Sequence, residues 1–198
     1  MVSEPRRVGI FGGTFDPVHV GHLVAAVNAR HSLRLDVVLL VVANIPWQKA
    51  GERPVSSAAD RLAMVEAAVG DVEGLEVSRA EVDRGGPSYT ADTLAAVRRQ
   101  YPDAELSVIV GADVADRLHT WERVEEVRRD ATLVVVNRPG WTPPAALAGW
   151  RVETVEIPEL AISSTDLRQR ACDGRPLDYL VPAAAVSVIR ARRLYADT

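Results

Sequence analysis

Five short runs rich in apolar, β-branched residues punctuate the chain, at 8–11, 37–43, 75–77, 106–110 and 133–136. Such runs fit strands that a parallel sheet buries on both faces. Between them, 21–32, 57–69, 90–99 and 121–129 carry the mixed apolar and polar spacing of helices. In the second of these, Ser57 precedes Asp60 by three residues, close to a capping box. Alternation of this kind predicts a Rossmann-like open α/β fold, with a mainly parallel sheet, right-handed crossovers and helices on both faces. A further strand is expected over 152–157. Helices over 163–171 and 182–192 close the chain, the second opening on Pro182. Pro- and Gly-containing segments at 44–54, 84–88 and 137–144 read as loops. The first two each follow a strand, and in open α/β sheets ligands sit at the carboxyl ends of strands.

Composition narrows the picture. A chain of 198 residues suits one domain, 1–198, with 1–6 expected as a flexible tail. With 47% hydrophobic and 25% charged residues it has the means to bury a core. Its longest apolar run, 37–43, has seven residues, far short of the roughly 18 that suggest a membrane span. No long apolar stretch of a secretory signal precedes Val8. The lone cysteine, Cys172, has no internal disulfide partner and leaves no CxxC metal or redox motif. A cytoplasmic protein is expected. The net charge of −4 speaks against a bulk polyanion binder, so neither nucleic acid nor membrane is an expected partner. Lys49 is the only lysine beside 22 arginines. That bias reads most simply as a GC-rich genome, and it draws attention to Lys49.

The chemistry concentrates after the first apolar run, in Gly12-Gly13-Thr14-Phe15-Asp16-Pro17-Val18-His19-Val20-Gly21-His22. Glycines here let backbone approach a ligand closely, and free amides would cradle phosphate oxygens. His19 and His22, three apart, fall on one face of a helix that begins near His19. There the helix dipole favours an anion. The competing reading is a tight turn with two satisfied histidines. A zinc site is the weaker alternative, because no third ligand is evident and the usual helical pair is spaced i, i+4. The string is neither a dinucleotide GxGxxG fingerprint nor a Walker sequence. Near the other end of the chain, Ser163 and Thr165 offer hydroxyls at a helix start and Arg168 a planar fork for phosphate. By themselves these three make a capped surface helix more often than a site.

Taken together, the first string resembles the HxGH nucleotidyltransferase superfamily, which shares ancestry with class I aminoacyl-tRNA synthetases. Ile162-Ser163-Ser164-Thr165-Asp166-Leu167-Arg168 is similar to that superfamily's C-terminal ISxTxxR segment. Four intermediate segments resemble the bacterial nicotinate-mononucleotide adenylyltransferases: Ala43-Asn44-Ile45-Pro46-Trp47-Gln48-Lys49, Pro87-Ser88-Tyr89-Thr90-Ala91-Asp92-Thr93-Leu94, Gly111-Ala112-Asp113 with Trp121, and Arg138-Pro139-Gly140. The resemblance runs from about Val8 to Tyr195. It implies that His19 and His22 contact ATP phosphates, with Gly12, Gly13 and Thr14 as the phosphate-side loop. Gly111 and Asp113 then lie beside the adenosine, and Ser163, Thr165 and Arg168 bind phosphate, so that His19, His22 and Arg168 are the expected catalytic residues. For the acceptor it implies the Thr90 amide at the nicotinate carboxylate, the Trp121 ring on the pyridine, and contacts from Asn44, Lys49 and Glu122.

The same resemblance implies that ATP and nicotinate mononucleotide react to nicotinate adenine dinucleotide and pyrophosphate, with Mg²⁺ carried on ATP and no metal held by protein ligands. Two departures stand out. Glu122 occupies a place where relatives often have an aromatic residue, and its side chain is expected to point outward. Pro46-Trp47-Gln48-Lys49 stands where many have Pro-Pro-His-Lys. Rival readings are an adenylyltransferase for pantetheine phosphate, one with amide or dual mononucleotide specificity, and a nucleotide-binding module without turnover. Without the resemblance, Trp121 would read as core, Asp113 as a helix cap, Lys49 as a solvated loop residue, and Trp141, Trp150 and Arg190 as packing or surface. A homo-oligomer is left open.

Overall fold

A computed structural model describes residues 7–46, 55–137 and 147–196. The expected tail, Trp47, Gln48, Lys49, the Arg138-Pro139-Gly140 segment and Trp141 therefore lie outside the described residues. The elements are β1 (Arg7–Gly13), α1 (Val20–Leu33), β2 (Val37–Val42), α2 (Ala58–Val69), β3 (Leu75–Ser78), α3 (Ala80–Arg84), α4 (Thr90–Gln100), β4 (Glu105–Gly111), α5 (Ala112–Ala115), α6 (Val124–Asp130), β5 (Thr132–Asn137), β6 (Val152–Glu156), α7 (Ser164–Cys172) and α8 (Ala183–Ala191). A single 3₁₀ turn, Leu118–Thr120, precedes α6.

The six strands form one sheet in the order β3-β2-β1-β4-β5-β6, and every pairing is parallel. The central strands are almost wholly apolar because each feeds two cores. From β2, Val38, Leu40 and Val42 face α1, α2, α7 and α8, whereas Val37, Leu39 and Val41 face α4 and α6. Each such side chain contributes about 1.5–3 kcal/mol by leaving water, so the central strands carry much of the stability. Helix starts follow their caps. Ser57 Oγ accepts from the Asp60 amide at 3.0 Å and Ser163 Oγ from the Asp166 amide at 3.2 Å. No helix among the described residues is long and apolar enough to cross a membrane.

Two expectations need correction. Trp121 does not start a helix; it ends the 3₁₀ turn in an extended conformation, and α6 begins only after Arg123, whose φ is 52°. That left-handed residue breaks the helical run. The alternative reading of Asp113 as a helix cap fails too: Gly111 occupies that place and Asp113 sits in the first turn of α5.

Candidate active site

The β1–β4 ladder ends at the pair Ile10–Val108, although the two strands continue to Gly13 and Gly111. On their outer sides β1 stays paired with β2 through Gly13 and β4 with β5 through Gly111. The sheet therefore splits where its strand order reverses, the place where open α/β folds bind ligands. A cleft of about 420 Å³ fills the split. Gly12, Gly13, Thr14, His22, Thr90, Gly111, Asp113, Trp121 and Glu122 line it; His19, Asn44, Ser163, Thr165 and Arg168 do not. A Cβ on Gly12 would meet no atom within 4 Å. The bare backbone there serves no packing need of the protein. It leaves room for something else.

His19 caps α1 with extended backbone, φ −146° and ψ 170°. Its amide donates to His22 Nδ1 at 3.2 Å. Because Nδ1 accepts from that amide, the neutral imidazole carries its proton on Nε2. The two rings stack with centroids 3.7 Å apart, and Phe15 meets His22 edge-on at 5.0 Å. Gly21 is needed for this arrangement, since a Cβ there would stand 3.1 Å from His19 Nδ1. His19 is buried, which lowers its pKa to about 4, and its Nδ1 makes no hydrogen bond within the protein. At neutral pH it is an uncharged imidazole.

The C-terminal segment approaches the same turn from behind. Ser164 Oγ donates to the Pro17 carbonyl at 3.0 Å, and buried Arg168 donates to the Asp16 carbonyl at 2.8 Å. Arg168 also donates to Thr165 Oγ1 at 3.0 Å. Ser163 spends its hydroxyl on the cap. The segment thus acts on the turn between β1 and α1, and α1 itself is met at its first residue by Val20 N donating to Leu180 O at 3.0 Å.

At the other end of the cleft, α4 begins at Thr90 with no side chain capping it. The Trp121 segment faces it, and an Arg123–Asp92 ion pair ties the two together. Asn44 reaches this end indirectly: its amide donates to Ser88 Oγ at 2.9 Å and its Nδ2 to the Gly86 carbonyl at 3.0 Å. Two charged residues that the sequence does not single out, Glu81 and Arg117, also line the cleft. Arg117 lies on the surface, 4.0 Å from Asp113. Burial pushes the Glu81 carboxyl above the usual carboxylate range.

Residues 10–170 match the family model described as cytidylyltransferase-like. A "probable nicotinate-nucleotide adenylyltransferase" of Saccharopolyspora erythraea is 46% identical over 98% of this chain and 92% of its own. One of the same name from Streptomyces coelicolor is 47% identical over 93% of this chain and 98% of its own. The chain belongs to the nicotinate-nucleotide adenylyltransferase family. A solved structure of the Plasmodium falciparum nicotinic acid mononucleotide adenylyltransferase complexed with NaAD shares the fold, with a TM-score of 0.79 over 98% of both chains at 15% identity.

Two buried polar residues hold this adenylyltransferase site together, and both escaped the sequence reading. Arg61 is 1% exposed. It donates to the carbonyls of Thr14, Ala43, Asn44 and Ser56, at 3.0, 2.5, 3.0 and 2.9 Å, so one guanidinium fixes the loops after β1 and β2. Its signal was present: Arg61 shares the buried stripe of α2 with Met64, Val65 and Ala68. Tyr195 donates to Asp16 Oδ1 at 2.8 Å across the whole chain length. Nothing local pointed to that contact.

Proposed function

We propose that this chain transfers the AMP group of ATP to nicotinate mononucleotide, yielding nicotinate adenine dinucleotide and pyrophosphate for NAD biosynthesis. It does so as a single domain, 1–198, in the cytoplasm. The observation that carries the reading is His22, a donor of fixed tautomer in a cleft at the sheet's switch point, beside a Gly12 whose missing side chain leaves space for a ligand.

A phosphate oxygen of the mononucleotide forms the new bond to the α-phosphorus, and the bond to the bridging oxygen breaks to release pyrophosphate. That nucleophile is already ionised near neutral pH, so no general base is required. What the chain supplies is placement and stabilisation of charge on the phosphates. His22 Nε2 donates to the phosphates, and His19, held neutral by burial, serves as a donor rather than a cation. The backbone of Gly12, Gly13 and Thr14 lines the phosphate side, and Gly111 and Asp113 take the adenosine. Arg168, with Ser163 and Thr165, sets the turn that carries both histidines. For the acceptor, Thr90, Trp121 and Glu122 form the nicotinate end, aided by Asn44 and Lys49.

Among the described residues no three His, Cys, Asp or Glu side chains converge on a common point. A magnesium ion would then arrive on the nucleotide rather than be held in a cage of side chains. The ion would neutralise charge on the ATP phosphates.

A carboxylate only accepts hydrogen bonds, whereas an amide also brings an NH₂ donor. The uncapped start of α4 presents backbone donors and a positive dipole end to that group. Acid should therefore be preferred over amide by about tenfold or more in kcat/KM. The test is pyrophosphate release from ATP and magnesium with nicotinate mononucleotide, its amide and pantetheine phosphate, the products separated by chromatography. Dinucleotide formed mainly from the acid is the expected result. Equal use of acid and amide would overturn acid specificity. No turnover by folded, ATP-binding protein would leave a nucleotide-binding module instead.

A further inference from the structure

Glu81 is a carboxylate 6% exposed, on a five-residue helix, in the wall of the cleft. Burying a carboxylate is costly, and an apolar side chain of similar volume would serve packing as well or better. What an acid supplies that an apolar group does not is a pair of acceptor oxygens. Thr93 Oγ1 donates to Glu81 Oε1, and the Ser88 side chain acts on the same carboxyl group, favouring its ionised form. Ser88 and Thr93 flank the start of α4 on either side. Ser88 is in turn joined to the loop after β2: its Oγ accepts from the Asn44 amide, and its own amide donates to the Ile45 carbonyl at 3.2 Å. Arg84, which also acts electrostatically on Glu81, donates to the Pro87 carbonyl at 2.9 Å and holds the same turn from outside.

We propose that Glu81 is the positioning residue of the acceptor subsite, its carboxylate pinning Ser88 and Thr93 so that the start of α4 meets the acid group of the mononucleotide. This rests on the nicotinate-mononucleotide reading above. It deepens that reading by assigning acceptor affinity to a side chain that need not touch the acceptor's reacting phosphate. The partners of Glu81 include none of the residues assigned above to ATP.

Three full-length variants, Glu81→Ala, Glu81→Gln and Thr93→Val, are compared with wild type. KM for each substrate is taken from pyrophosphate release, and Kd for nicotinate mononucleotide from titration calorimetry. Glu81→Ala should raise KM and Kd for the mononucleotide by about tenfold, with KM for ATP within about twofold of wild type. Glu81→Gln keeps an acceptor oxygen and should recover most of that loss. Thr93→Val keeps the carboxylate but removes one donor, so it should weaken the acceptor by a few-fold even if Glu81→Ala fails to fold.

Unchanged mononucleotide affinity in Glu81→Ala and Thr93→Val would overturn the proposal. So would equal rises in both KM values, or a fall in kcat alone, which a merely structural role would produce. Wild type that neither binds nor uses nicotinate mononucleotide would remove the functional reading and this inference together. Variants that keep wild-type affinity in an active enzyme would remove only the inference.

Discussion

Acidification should expose the cost of burying His19. In the unfolded chain its imidazole titrates near 6.5, whereas in the folded protein burial lowers the pKa to about 4. Above pH 6.5 both states hold the ring neutral and stability is at its full value. As pH falls below 6.5 the unfolded state takes up a proton that the folded state refuses, so stability declines until about pH 4. At 1.36 kcal/mol per pKa unit the loss approaches about 3 kcal/mol. For a domain of this size that corresponds to a fall in Tm of about 6–12 °C. The assay is urea denaturation from pH 7.5 to 4.5 on wild type and on His19→Asn, with asparagine chosen because it still caps a helix. Carboxylates that titrate in the same range do so in both proteins and cancel in the comparison. The pH dependence of wild type should exceed that of the variant, with the excess concentrated below pH 6.5. Parallel curves would mean that His19 accepts its proton in the folded state, and the neutral-donor role assigned to it would fall.

Gly12→Ala should leave Tm unchanged, because its Cβ meets no protein atom, yet raise KM for ATP by about tenfold or more through intrusion into ligand space; an unchanged KM would mean that no ligand approaches that backbone. His22→Ala should lower kcat by about 10²-fold, in the manner of a lost oxyanion donor, while the protein still melts cooperatively; turnover within about twofold of wild type would make His22 structural. Tyr195→Phe removes a hydrogen bond to the buried Asp16 carboxylate and should cost about 1.5–3 kcal/mol in chemical denaturation, a loss that an exposed or mobile Tyr195 would not show.

The central strands were legible because a parallel sheet covered on both faces favours apolar runs, most plainly at 37–43. The Ser57 and Ser163 caps were legible for a similar reason, since a cap is satisfied within three residues of itself. Both histidines and the glycines before them stood out by order and spacing, whereas the Thr90 and Trp121 segments were named through the family resemblance. The shortest helices were not legible. Residues 80–84 and 112–115 are too brief for a 3.6-residue period to register, and the left-handed Arg123 that delays α6 carries no compositional mark. Only the folded chain decided which strands are neighbours, and with that order came the split beyond Ile10 and Val108 where the cleft opens. The same is true of what locks the site. The tautomer of His22 follows from one backbone amide, Arg61 gathers four carbonyls from three segments, Glu81 accepts from Thr93, and Tyr195 reaches Asp16 over a separation of 179 residues. Apolar periodicity is a local property, set by which face of an element must leave water. A buried polar group takes whatever partner the packed tertiary structure brings within about 3 Å, and no local pattern encodes that partner.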